Sequence, residues 1–177
     1  MDEQLSDEQV AQALATDAAG SMLELGERYQ QRLKRFMMAL CGSEQAADEL
    51  FPVVLAQCQQ KMLGQPAPRR VALELFTLAH KGAVAYALRF PSSIPAYEPM
   101  PGAAGLDLTL RWELLSSALQ SLEAKDRAAL ALTLFERFSY AEAAQVLGLD
   151  AEALRQRAGA ALEALRLRLG PSFFGAA

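Results

Sequence analysis

Apolar residues recur along nearly the whole chain at intervals of three and four, the spacing that gathers them on one face of a helix. No run alternates apolar with polar between turn pairs, as a half-buried strand would. The pattern predicts an all-α protein. Ser6 with Gln9 reads as a capping pair that opens a first helix of about ten residues. A second is expected over residues 22–41, with Leu23, Leu25, Tyr29, Leu33, Phe36 and Leu40 on its inner face, and it stops at Gly42-Ser43. A third over 44–62 carries Pro52, whose missing amide predicts a kink. After a loop at 64–68, a fourth helix over 70–89 sets Val71, Leu75, Leu78, Ala79 and Ala85 on a face suited to the second and third.

The composition then changes. Residues 90–105, FPSSIPAYEPMPGAAG, hold four prolines and two glycines, which cannot sustain a helix and favour an extended, mobile path. Three units follow: residues 1–90 as one helical domain, 91–106 as a flexible linker, and 107–177 as a second helical domain. The linker predicts that the domains close on each other when free and separate on a partner. In the second domain, helices are expected over 106–119 and 123–136, with Trp112 as a core anchor. The tail PSFFGAA either docks its two phenylalanines or frays.

The stretch from Phe138 to Leu169 is the most specific. Ser139 caps a helix, with Glu142 three residues on to complete the box. Gly148 ends that helix, and Asp150 caps a second, with Glu152 near the positive end of its dipole. This is a helix-turn-helix pattern, whose second helix enters the major groove in DNA-binding proteins. On a wheel, Leu154, Ala158, Ala161, Leu162 and Leu165 face inward, while Glu152, Arg155, Gln156, Gly159, Glu163 and Arg166 face outward.

Charge limits what that helix can do alone. The chain has 17 basic and 21 acidic side chains, a net charge of −4. Lys plus Arg stand 9 against 11 acids in residues 1–90 and 8 against 9 in 107–177, so neither half has the basic excess of a free-standing DNA binder. DNA contact is expected to be local, weak, or supported by a partner. The acidic N-terminus and the lack of a membrane-length apolar run point to the cytoplasm and against membrane insertion. Cys41 and Cys58 read as reduced core residues, and His80, the only histidine, as packed or solvated. No Gly-rich phosphate loop, catalytic triad or metal-ligand spacing supports an enzyme or a cofactor.

A helical domain, a linker and a small domain ending in a helix-turn-helix form the layout of the extracytoplasmic-function (ECF) sigma factors of the sigma-70 family, and the local wording is similar. GSEQAADEL, residues 42–50, resembles the region 2 run that contacts the polymerase clamp helices, with Asp48, Glu49 and Leu50 matching by type. SLEAKDRAALALTLFERFSYAEAAQVLGLDAEALRQR resembles region 4 without a gap. Leu122, Arg127, Phe138, Ser139, Tyr140, Glu142, Ala144, Leu147, Gly148, Arg155 and Arg157 fall in corresponding positions.

The resemblance implies a region 2-like and a region 4-like domain, and a transcription initiation factor that binds core RNA polymerase and promoter DNA. An anti-sigma factor is a further implied partner. Its site residues would be Asp48, Glu49 and Leu50 for polymerase, and Ser139, Tyr140, Arg155, Gln156 and Arg157 for DNA. The chain departs from the family at Pro52, where glutamine is usual, and at Gln59, where tryptophan is common. The helix over 70–89 has only His80, Lys81 and Arg89 where a basic Asp-x-x-Arg-Arg surface is normal, and Gly159 and Ala160 replace histidine and arginine after Arg157.

Two blander readings stay open beside these. Arg155 and Arg157 on an amphipathic helix can simply pair with nearby acids, and Asp48 and Glu49 near a helix N-terminus are favourable there in any case. The Ala158-Gly159-Ala160-Ala161 run also suits close packing against a partner helix. The alternative function is therefore a sigma-like interaction module that binds an anti-sigma factor or other regulator without directing transcription.

Overall fold

The computed structural model describes residues 6–13, 16–63, 70–90, 108–170 and 173. Every regular element among them is helical. The expected linker, the loop at 64–68, most of the tail and the Trp112 side chain lie outside the described residues.

Helix α1 (Asp7–Ala13) begins as its sequence requires, with Ser6 N donating to Gln9 Oε1 at 2.7 Å and Gln9 N to Ser6 Oγ at 3.2 Å. Helix α2 (Ala18–Cys41) starts four residues earlier than expected, because Asp17 accepts from the Gly20 amide and caps it. Gly42 at φ 69° closes it in the left-handed conformation. Ser43 then caps α3 (Glu44–Met62), which runs unbroken through an exposed Pro52. Helix α4 (Val71–Arg89) completes the N-terminal group.

α4 is long and apolar enough in composition to cross a bilayer. Here it is packed against α2 and α3, with Val71, Leu75, Phe76, Ala79 and Ala83 buried. Two inner-face expectations are corrected. Leu23 is 66% exposed and Ala85 is exposed, since each sits at the edge of its helix's apolar stripe, where the packed partners do not reach.

The C-terminal group begins with α5 (Leu108–Gln120) and α6 (Ala124–Leu130). The single helix expected over 123–136 instead widens after Leu130 into a π-turn at Ala131–Phe135, where Glu136 N donates to Ala131 O at 3.0 Å. Arg137 follows at φ 57°, the only described non-glycine residue with positive φ. Helix α7 (Tyr140–Leu147) has both arms of its capping box, and Gly148 at φ 67° turns the chain into α8 (Ala151–Leu169), capped by Asp150. Phe173 docks into a small cluster with Ala118, Leu122, Leu130, Ala161, Leu165 and Leu169.

The main core crosses between the two groups. Leu25, Leu33, Phe36, Leu75 and Phe76 from the first half share one buried cluster with Ala128, Ala129, Leu132, Ala143, Ala144, Val146 and Leu154 from the second. Helix α7 lies on α4, and α6 lies on α2.

Gly159 is exposed on α8, and a methyl added there meets nothing within 4 Å. It is not a packing glycine within this chain, so Gly159→Ala should recover the helix propensity that glycine forfeits, about 1 kcal/mol. A rise in the chemical-denaturation midpoint without a change in m-value checks this; an unchanged or lower midpoint contradicts it.

Candidate nucleic-acid and partner interfaces

Helix α8 lies with its apolar stripe inward and its polar stripe in solvent. Leu154, Ala158, Ala161, Leu165 and Leu169 are buried, while Glu152, Arg155, Gln156, Gly159, Glu163 and Arg166 are all exposed. Ser139 and Tyr140, at the start of α7, are exposed as well. The structure thus brings four of the five DNA candidates into the open.

The arginines are engaged. Arg155 grips Glu152 with both arms of its fork, Nε to Oε2 at 2.8 Å and Nη2 to Oε1 at 2.6 Å, and Gln156 Nε2 donates to the same carboxylate at 3.0 Å. Those hydrogen bonds, Arg155's first, hold the Glu152 carboxyl below the ordinary range. Arg157, the fifth candidate, turns away from this group to Asp126 on α6, at 2.8 Å and about one-third exposed. An exposed pair such as Glu152–Arg155 is typically worth at most about 1 kcal/mol, so a guanine edge or phosphate can displace the carboxylate. Both glutamate and aspartate nevertheless reduce the positive field that this face presents.

The polymerase candidates sit at the corner of α2 and α3. Asp48 accepts from Lys34 Nζ at 2.6 Å, and Glu49 accepts from Gln45 Nε2 at 3.0 Å. Both are exposed, while Leu50 is half-buried against Gly82 of α4. On α4, Lys81 and Arg89 are exposed, and the Arg89 guanidinium stands over the Phe90 ring, 5.4 Å from its centroid. Burial, then Lys81, lowers the pKa of His80, so it adds no charge to this surface near neutral pH.

Sequence reasoning missed the residues that join the two groups. Arg127, only 5% exposed, donates Nε to Ala39 O at 2.7 Å and Nη2 to Leu40 O at 3.1 Å, both at the C-terminal end of α2. Its Nη1 donates to Gln120 O at 3.0 Å, at the end of α5, and to Leu122 O just beyond it. Burial pulls its pKa below the usual arginine value. Gln120 Nε2 reaches Met38 O and Ala39 O from the same side, both at 3.4 Å.

Two further ion pairs cross. Arg32 Nε meets the buried Glu136 carboxylate at 2.6 Å, and Arg70 pairs with Glu142 of the capping box. Phe76 of α4 meets Phe138 edge-on at 5.1 Å between centroids. A cleft of about 180 Å³, open to solvent, lies on this seam between Arg35, Met38, Leu119, Gln120 and Phe135. The one sequence signal for any of this is Arg127 itself, which stands directly before the apolar run AALAL.

The fold and this outward second helix define a two-part, all-helical helix-turn-helix protein. Residues 112–165 match the family model for sigma-70, region 4. No curated protein matches the chain in sequence. In structure it is similar to CnrH, solved in complex with the cytosolic domain of CnrY, at a TM-score of 0.71 and 22% identity over 91% of this chain and 95% of that one. It is also similar to the sigma factor RpoE of Bartonella quintana, solved with the anti-sigma factor NepR, at 0.63 and 20% over 81% and 95%. The C-terminal helices thus match sigma-70, region 4, and the fold as a whole is similar to those of the two solved proteins.

Arg127 bridges four carbonyls, of which Ala39 O is also reached by Gln120 Nε2 at 3.4 Å. Arg127→Met strands them and should cost about 3 kcal/mol of stability; Arg127→Lys, with one ammonium for a fork, should recover only part of it. Urea unfolding of the three proteins measures this, and equal stability of all three would show the clamp to be inert.

Proposed function

We propose that this chain is a transcription initiation factor of the ECF sigma type, acting in the cytoplasm. Its N-terminal helices bind core RNA polymerase through Asp48, Glu49 and Leu50, and α7 and α8 touch promoter DNA through Ser139, Tyr140, Arg155, Gln156 and Arg157. The observation that carries this reading is the region 4 match over 112–165 falling on a helix pair whose second member turns its polar stripe to solvent. Ser139 and Tyr140, at the entry to the first helix, suit phosphate contact, and the fork of Arg155 suits a guanine edge. Arg157 has to leave Asp126 before it can follow.

With few free cations, affinity for DNA comes mostly from attachment to polymerase. Salt dependence should be shallow, the slope reflecting about two or three phosphates rather than the six to ten of an autonomous binder.

A second reading, a sigma-like module that binds a regulator and does not direct transcription, is favoured by one feature. Phe135 lines the seam cleft and is about half exposed, as is its neighbour in sequence Leu134, and an apolar helix could lie there. The similar structures carry a protein partner in each case, the cytosolic domain of CnrY and the anti-sigma factor NepR.

Transcription from promoter fragments of the source genome, with purified core polymerase, separates the two. The initiation factor supports specific transcripts, Arg155→Glu with Arg157→Glu removes them while leaving capture of core intact, and Glu49→Arg weakens capture at least tenfold. Failure of the unaltered protein to capture core polymerase ends the sigma factor reading.

A further inference from the structure

We propose that the seam cleft is a binding site for a small aromatic monocarboxylate, one ring carrying one negative charge. The site uses none of the polymerase or DNA contacts described above, and it takes a small molecule where the regulator-binding reading would place a helix.

Three elements build it. Helix α2 supplies Arg35 and Met38, α5 supplies Ser116 and Leu119, three residues apart on one face, and the π-turn with the residue after it supplies Phe135 and Glu136. Carbon dominates these walls, so water held there has few polar partners and an apolar body displaces it readily. The size is that of a ring and not of a drug-sized molecule: the cleft measures about 180 Å³, and an apolar cavity of about 150 Å³ is enough to hold benzene.

Two independent features point to an occupant. The first is the π-turn. Phe135 lines the cleft yet is 51% exposed, so one side of its ring is left for something else to cover. The widened turn that presents it is a geometry that recurs at functional sites, and Arg137 follows at φ 57°, a conformation that costs a non-glycine residue free energy. This departure from an ordinary helix falls at the wall of the cleft.

The second feature is charge. Arg35 borders the cleft, is exposed, and makes no ion pair among the described residues. Glu136 borders it too, but its carboxylate is only 3% exposed and is held at 2.6 Å by Arg32, three residues before Arg35, so it neutralises Arg32 and leaves Arg35 unmatched. A guanidinium fork takes the two oxygens of a carboxylate in parallel, and the Ser116 hydroxyl on α5 offers a further donor. An aromatic acid meets both demands at once, its planar head on Arg35 and its ring against Phe135, Met38 and Leu119.

The test titrates the full chain with benzoate and with benzamide, which keeps the ring and loses the charge, and follows ligand-observed NMR and thermal unfolding. Benzoate should bind saturably with a Kd of about 1 mM and raise the unfolding midpoint as its concentration rises. Benzamide should bind about tenfold more weakly, for want of a charged partner to Arg35. Arg35→Gln should reduce benzoate to the level of benzamide and leave benzamide unchanged, whereas Phe135→Ala should weaken both ligands. Both side chains are exposed, and an unchanged circular dichroism spectrum checks that each variant is folded.

No saturable benzoate binding up to about 10 mM would overturn the proposal and leave the cleft to an apolar helix. Benzoate binding that survives both Arg35→Gln and Phe135→Ala would overturn it as well, by placing the ligand elsewhere. Benzamide binding as tightly as benzoate would refute the assignment of an anion.

Discussion

A buried guanidinium that pairs with no carboxylate among the described residues is the constraint around which this molecule is arranged. Arg127 meets four backbone carbonyls, two at the end of α2, one at the end of α5 and one, Leu122 O, just beyond it. The last turn of a helix leaves carbonyls without intrahelical donors and carries the negative end of the macrodipole. One cation placed between two such ends satisfies both and is stabilised by both. Desolvation opposes this and lowers its pKa, so the hydrogen bonds to both helix ends have to offset it. Either both helix ends converge on Arg127, or the charge returns to water.

That requirement fixes what surrounds it. Helix α6 has to lie against the end of α2, and α2 accordingly contacts α5, α6 and the π-turn. The π-turn at Ala131–Phe135 shifts the register of the following residues, and Glu136 arrives at Arg32 while Arg137 is left at φ 57°. From there Phe138 reaches Phe76, and the capping box at Ser139 and Glu142 starts α7 along α4. The helix-turn-helix is therefore positioned on the N-terminal helices by a chain of contacts that begins at one arginine. Its own frame needs none of them, since Ser139, Glu142, Gly148 and Asp150 act within a few residues of themselves.

This contrast explains what the sequence made legible. Caps and stops at Ser6, Gly42, Ser139, Gly148 and Asp150 are local chemistry, and each lies where its residue type demands. The inward stripe of α8 was equally readable, because 3.6-residue periodicity needs no knowledge of the partner. Leu23 and Ala85 show the limit of that rule: a helical wheel gives the direction of a stripe, but packing decides how wide a band is covered. The π-turn has no propensity signature, so the sequence pattern alone predicts an unbroken helix over 123–136.

The candidate site divides in the same way. The outward placement of Arg155 and Gln156 followed from the wheel, and the Glu152 partner lay three residues away. Asp126, thirty-one residues from Arg157, could be found only from coordinates.

The recognition helix and the seam together make one physical argument. Glu152 and Asp126 each neutralise an arginine that the DNA reading would use, so α8 presents little free positive charge. Two weak contacts gain from being joined, because the second then forms at the effective concentration set by the first, provided the geometry lets both engage. Under the proposed function, a reading face this poor in free charge suits a factor that binds DNA in the company of polymerase.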